Sequence, residues 1–326
     1  MGKPGTPDHR PSLAIPDRRP TGRFVHDAVR YRDAGELLAG TREFVTGGLA
    51  TGEPVLVAAP RATLDRLRAE IPARDGQVST VDMREVGRNP GGILGEVLLR
   101  FAAAHPGRRV RIIGEPVWPD RTAEEYPACV QHEALINAAF AGRDAHIRCL
   151  YDAAGLPADR LDDAARTHPW IGTGGRVGPS LRYHDALATA ARFNQPLPEP
   201  PPGSVRLLVV RGSLGQLRIA AAGQATAAGL PASRAGDLVI ALNELVSNSV
   251  QHGGGAARAA VWTTPDQVIG QVSDAGHIAD PLAGRVPPPA SSPGGGRGLA
   301  VVNAVCDLVR VYTRPGHTTV QVHLRR

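Results

Sequence analysis

The chain has 326 residues and a formal net charge of +6, with 42% hydrophobic and 21% charged residues, a length and balance that suit two packed domains and exclude wholesale disorder. Aromatic residues make up only 4%, against 38 glycines and 29 prolines, so the cores must rest on Ala, Leu and Val and the loops on Gly and Pro. The arginines are scattered among acidic residues rather than gathered with aromatics, which points away from direct nucleic-acid binding.

In chain order, residues 1–20 hold charge and proline where a signal peptide needs an apolar run, and they read as a disordered tail. No run of about 18 apolar residues occurs, so no membrane-spanning helix is expected, and the expected location is the cytoplasm. Cys129, Cys149 and Cys306 are widely separated, and their spacing implies neither a disulfide framework nor a zinc site. From 21 to 170, apolar runs alternate with helical patterns. Pro54–Ala59, Arg109–Gly114 and Ala145–Tyr151 read as buried strands, and Ala34–Leu49, Ile93–Ala104 and Ala123–Phe140 carry helical periodicity. The alternation predicts an α/β domain with a mostly parallel sheet. Residues 171–203 read as a connector: a loop at Ile171–Pro179, a short helix within Leu181–Phe193, and a stiff proline-rich spacer at Pro196–Gly203.

From 204 to 326 the order changes. A strand at Val205–Val210 precedes helices at about Gln216–Ala228 and Ser233–Val250. Strands follow at Ala257–Thr263 and Val268–Asp274, then a Gly/Pro-rich loop, a helix at about Gly296–Cys306, and strands at Leu308–Arg314 and Thr318–Leu324. Strands adjacent in sequence predict an antiparallel or mixed sheet covered by helices on one face, an α+β sandwich.

Three features of this second half carry chemistry. On the helix DLVIALNELVSNSVQH, Leu238, Leu242, Leu245 and Ser249 form a packing stripe, and Glu244 and Asn248 stack one turn apart on the adjacent stripe. An amide oxygen beside a carboxylate can hold Mg²⁺ while the carboxylate positions or deprotonates a hydroxyl. Taken alone, the pair equally suits an ordinary helix surface. Asp274-Ala275-Gly276 ends an apolar strand, where a carboxylate can accept from an exocyclic amine such as that of adenine; a simple turn explains it as well. Gly294-Gly295-Gly296-Arg297-Gly298-Leu299 opens an apolar helix, so backbone N–H groups and the helix dipole can face a phosphate, or the glycines can act as a hinge.

In their order and spacing these segments resemble the GHKL (Bergerat-type) ATPase superfamily over about Gly203 to Arg326, and within it the anti-sigma-factor serine kinases. The resemblance implies ATP and Mg²⁺ as ligands, with Glu244 as general base, Asn248 on the metal and Asp274 reading adenine. It further implies that Gly276, Gly294, Gly296, Gly298 and Leu299 line the phosphates with Arg297 close by, and that Thr318 or Thr319 sits near the adenine. The partners it implies are a sigma factor or an anti-anti-sigma protein, and relatives tend to form homodimers through this domain. His277-Ile278 departs from the pattern, since many relatives carry another glycine there; the loop from His277 to Pro293 is the candidate lid. A non-catalytic nucleotide-binding module that works by sequestration is the alternative reading. A histidine-kinase-like sensor shares the ATP fold but needs an acceptor histidine on a helix pair directly before it, where this chain has the proline segment.

The first half resembles the MEDS sensory domain, on Phe24–Pro60 (FVHDAVRYRDAGELLAGTREFVTGGLATGEPVLVAAP), Gly114–Pro119 (GEPVWP) and Tyr126–Phe140 (YPACVQHEALINAAF). The resemblance implies small-molecule sensing. A strand–helix junction at PVLVAAPRATLDRL stands where a RecA-like fold carries its P-loop, but the G-x-x-x-x-G-K-[ST] pattern is missing, so no second ATPase is expected. Glu115 and Trp118 follow a predicted strand, the usual place for ligand contacts in an open α/β sheet. His26, His132 and Glu133 are further polar candidates, and for each of the five a buried polar group satisfied by the backbone is the simpler explanation.

Overall fold

A computed structural model of the chain describes residues 23–71, 76–174, 176–210, 214–287 and 296–326. The expected tail and Gly294 lie outside these residues.

The first unit is a seven-stranded sheet built from β1 (Phe24–Tyr31), β2 (Val55–Ala59), β3 (Val78–Asp82), β4 (Val110–Gly114), β5 (Ala145–Asp152), β6 (Trp170–Thr173) and β7 (Arg176–Pro179). The order is β3-β2-β4-β5-β1-β6-β7, parallel throughout except for the β6–β7 pair. Ile112 and Ile113, consecutive in β4, are both fully buried but belong to different core clusters. Both faces of the sheet are therefore covered, which is why β2 and β4 read as unbroken apolar runs rather than alternating ones. Helices α1 (Ala34–Ala50), α2 (Arg61–Glu70), α3 (Met83–Val86), α6 (Tyr126–Ala139) and α7 (Ala158–Thr167) supply the covering layers. The loop expected at Ile171–Pro179 is instead the β6–β7 hairpin. Its first strand pairs with β1 and its turn uses Gly174 at φ +57, so the sheet runs on to Pro179. The helix expected from Ile93 starts earlier, with Asn89 capping α4 (Pro90–Ile93), and runs through a π-helical stretch (Leu94–Leu99) into α5 (Arg100–Ala103).

The second unit is a five-stranded antiparallel sheet of β8 (Val205–Val210), β9 (Ala256–Thr263), β10 (Gln267–Asp274), β11 (Leu308–Arg314) and β12 (His317–Arg325), in the order β11-β12-β10-β9-β8. Helices α9 (Leu214–Ala227), α10 (Ala232–His252) and α11 (Gly298–Val305) bury one face of it through Leu217, Leu238, Leu242, Leu245 and Val302. The other face is polar yet buried: Gln271, Gln321 and His323 are at most 6% exposed. Part of the reason is the proline-rich segment, which lies against the sheet rather than spanning open solvent. Gln321 Nε2 donates to the Pro198 carbonyl at 3.3 Å and Arg206 Nη2 to that of Pro200 at 2.6 Å. Just before it, helix α8 (Ala186–Arg192) leads to Asn194, which exchanges two hydrogen bonds with the Thr313 backbone.

The two units meet over a polar and apolar seam. Buried Asn89 donates to the Asn303 carbonyl (2.8 Å) and Oδ1 (3.0 Å), while its own Oδ1 accepts from the Gly91 and Val309 N–H groups. Arg310 pairs with Glu124 at 3.0 Å and Arg325 with Glu125 at 2.7 Å. Leu282 and Val286, from the candidate lid, pack on the core of the first unit, and Arg285 Nη2 donates to Gln131 Oε1 on α6. Burial pushes the Arg285 guanidinium down to about 10. Among the described residues, no helix is long and apolar enough to cross a membrane.

Candidate functional site

Helix α10 presents its Leu238, Leu242, Leu245 and Ser249 stripe to the sheet, and all four are buried. That packing fixes the adjacent stripe, so half-buried Glu244 and Asn248 face α11. A Cβ placed on Gly298 would sit 2.8 Å from Glu244 Oε2 and 3.1 Å from Asn248 Nδ2. The first residue of α11 is thus pressed against the carboxylate and the amide, and only glycine leaves the helix N-terminus open to them.

A cavity of about 600 Å³ opens beside this junction, lined by Asn248, Ser249, Gly253, Asp274, Gly276, Gly296, Gly298, Leu299 and Thr318, and on the lid side by Ile278, Leu282, Gly284, Val286 and Pro287. Asp274 ends β10 at its floor. Its Oδ2 accepts from Ser249 Oγ at 2.5 Å and its Oδ1 from the Gly276 N–H at 2.6 Å, which orients the carboxylate and leaves lone pairs for a further donor. Thr318, opposite Asp274 in the β10–β12 register, donates to the Gly276 carbonyl at 3.2 Å. Gly296 adopts φ +94 just before α11.

Not every expected residue converges here. Thr319 lies on the opposite sheet face, bonded to Ser273 Oγ at 2.9 Å, because successive strand side chains alternate. Arg297 lines a separate cavity of about 480 Å³ between the two units, with Gly92, Gly95 and Asn303. Ser249 was read as packing; a hydroxyl in an otherwise leucine stripe is the signal that marks it as the holder of Asp274.

The donor set suits a magnesium nucleotide. The Glu244 carboxylate and the Asn248 amide stand at a helix N-terminus against a glycine whose replacement would displace them, beside a carboxylate-floored cavity of nucleotide size.

In the first unit the structure divides the expected residues. Glu115, just past β4, is buried and accepts from Tyr31 Oη at 2.8 Å and Thr63 Oγ1 at 2.7 Å; burial pushes its carboxyl up to about 7 against those two donors. Trp118 is buried beneath Arg121, whose guanidinium lies 3.7 Å from the ring centroid. His26 and Glu133 come together; His132, beside Glu133 on α6, is buried with Nδ1 unbonded among the described residues. Sequence reasoning missed Asp27. Burial would raise its carboxyl, but the Arg148 guanidinium and His146 hold it well below the usual range.

Residues 25–169 match the family model described as the MEthanogen/methylotroph, DcmR Sensory domain (MEDS), and residues 211–324 match the histidine kinase-like ATPase domain. The chain carries a MEDS sensory domain followed by a histidine kinase-like ATPase domain. The cavity lies in the ATPase domain, between α10, β10 and α11. No curated protein matches the chain. One similar solved structure holds the RsbU and RsbW domains of Rv1364c from Mycobacterium tuberculosis, at 20% identity and a TM-score of 0.27, covering 37% of this chain and 32% of that one. This chain therefore spans about a third of that structure's length.

Proposed function

We propose that the chain is a cytoplasmic signalling regulator whose ATPase domain binds Mg·ATP and phosphorylates a Ser or Thr of an anti-anti-sigma protein, under the control of the MEDS domain, and that it holds a sigma factor when the antagonist is phosphorylated. The contact of Glu244 and Asn248 with Gly298 carries the reading, because it sets a carboxylate and an amide oxygen at the helix N-terminus where a γ-phosphate would lie.

In this reading Asp274 accepts the adenine amine, and the Gly296–Leu299 backbone N–H groups hold the phosphates. Asn248, with Glu244 beside it, would hold Mg²⁺, which supplies neutralising charge on the phosphates. Glu244 takes the proton from the incoming hydroxyl as its oxygen bonds to phosphorus and the bond to the β-phosphate oxygen breaks, releasing ADP. Phosphate on the antagonist then breaks its complex by charge and desolvation.

Calorimetry with Mg²⁺ and ATP, followed by radiolabel transfer to purified antagonists, tests this. Asn248→Ala and Asp274→Ala are expected to lose binding. Glu244→Ala is expected to keep the partner complex and lose transfer. Transfer that survives in Glu244→Ala overturns the base assignment. A folded wild-type chain that binds no ATP overturns the reading as a whole.

A further inference from the structure

A second cluster lies in the middle of the MEDS domain, away from the ATP cavity. His26 on β1, Glu133 on α6, Cys149 on β5 and His168 just after α7 are all buried, and one potential ligand atom from each lies within 4.8 Å of the others. Four separate elements converge there, so no spacing along the chain reveals it.

The hydrogen bonds around the cluster fix which atoms face inward. Asn137 Nδ2 donates to the carbonyls of Ala134 and Thr167, so Asn137 Oδ1 faces His26 Nδ1 at 3.1 Å and must accept from it. His168 Nδ1 lies 2.8 Å from the Ala164 carbonyl, which can only accept. Both imidazoles therefore donate outward from Nδ1 and turn Nε2 toward the cluster, the orientation typical of metal-ligating histidines.

Those Nε2 atoms face a carboxylate and a thiol. Glu133 Oε2 lies 2.9 Å from His168 Nε2, an ion-pair distance, and 3.6 Å from His26 Nε2; among the described residues the Glu133 oxygens face only members of this cluster. Cys149 Sγ sits 3.5 Å from His26 Nε2. Two imidazole nitrogens, a carboxylate and a thiol thus converge in one enclosed place, where a cation would offset the buried carboxylate charge. Metal bonds of about 2.0 Å to nitrogen or oxygen and about 2.3 Å to sulfur set tetrahedral neighbours roughly 3.3–3.5 Å apart. The two separations from His26 Nε2, 3.5 Å to Cys149 Sγ and 3.6 Å to Glu133 Oε2, lie close to that spacing, while His168 Nε2 at 2.9 Å from Glu133 Oε2 would move apart by about half an ångström on binding an ion.

We propose that His26 Nε2, His168 Nε2, Cys149 Sγ and a Glu133 carboxylate oxygen form a buried, four-coordinate site for a divalent transition-metal ion of the zinc and cobalt kind. The mixed imidazole, thiolate and carboxylate set selects such ions over Mg²⁺ or Ca²⁺, which prefer oxygen alone. Binding displaces the thiol proton of Cys149, so uptake strengthens as pH rises. Enclosure on all sides makes the ion a resident that joins β1, β5, α6 and the end of α7.

The test uses the full chain, produced with Zn²⁺ or with Co²⁺ in the growth medium and analysed for metal after purification. One ion per chain is expected. The cobalt form should show the intense visible bands of a tetrahedral site together with a thiolate charge-transfer band. Cys149→Ser should remove the charge-transfer band and weaken retention at least tenfold against a chelator competitor, and Glu133→Gln should weaken retention while leaving that band. Circular dichroism and a cooperative thermal unfolding transition report whether each variant has folded. A folded, metal-free wild-type chain whose His168 titrates as an imidazolium paired with Glu133 overturns the proposal. So does a cobalt spectrum that Cys149→Ser leaves unchanged.

Discussion

Replacing Gly298 by alanine tests the ATP site at the point where its geometry is tightest. The new methyl would stand 2.8 Å from Glu244 Oε2 and 3.1 Å from Asn248 Nδ2, well inside van der Waals contact. Both neighbours are the far ends of side chains, so they would swing aside rather than unfold α10. Fold stability should hold or rise, since alanine is the better helix former by up to about 1 kcal/mol. Ligand binding should suffer, because the displaced groups are those that would meet the phosphates and their cation. One charge-assisted contact is worth about 1.5–3 kcal/mol, so ATP affinity should fall roughly 10- to 100-fold. Calorimetry with Mg²⁺ gives the affinity and thermal unfolding gives the stability. An affinity within about twofold of wild type would refute the placement of phosphate at Gly298.

Other expectations follow from buried polar groups. Asn89→Ala removes the cap of α4 and strands the Val309 N–H and the Asn303 amide, so a loss of about 2–4 kcal/mol is expected by chemical denaturation; a loss below about 0.5 kcal/mol would show that the seam does not depend on it. Glu115 has a folded-state carboxyl raised from 4.5 to about 7, so the stability it contributes is present at acidic pH and declines, by something on the order of 3 kcal/mol, as pH rises across that window. Glu115→Gln should flatten this part of the stability–pH curve, and an unchanged slope counts against the burial argument. Asp27 behaves oppositely: its depressed carboxyl contributes stability above about pH 4 that is lost on further acidification, and Asp27→Asn should cost about 3–5 kcal/mol near neutrality by leaving Arg148 without its charge partner.

Much of the ATPase domain was legible because its signals are local. The leucine stripe of α10 fixes where Glu244 and Asn248 point, and the apolar runs of β10 and β12 set the strand ends that carry Asp274 and Thr318. The MEDS half was legible as alternating strands and helices, but strand order is a long-range property. Nothing near His26 announces that β1 inserts between β5 and β6, and that insertion is what brings Cys149 and His168 to it. The β6–β7 hairpin was hidden by its glycines, which read as loop until pairing with β1 gives Trp170 and Ile171 a partner strand. The proline segment was legible as extended, but not as docked, because the polar residues of the second sheet that receive it carry no pattern of their own.

The strip from Leu282 to Pro287 is shared: Leu282 and Val286 line the cavity of the ATPase domain and also pack on the core of the first unit, and Arg285 is bonded to α6. A strip shared in this way couples its two neighbours thermodynamically. If nucleotide binding shifts this strip, its contacts with the sensory domain shift with it, and a change in that domain alters the cost of the same shift. The two effects are equal in size: whatever factor a sensory ligand imposes on ATP affinity, ATP imposes on the affinity for that ligand. Nucleotide titrations run with and without the signal, and signal titrations run with and without nucleotide, should therefore return the same ratio.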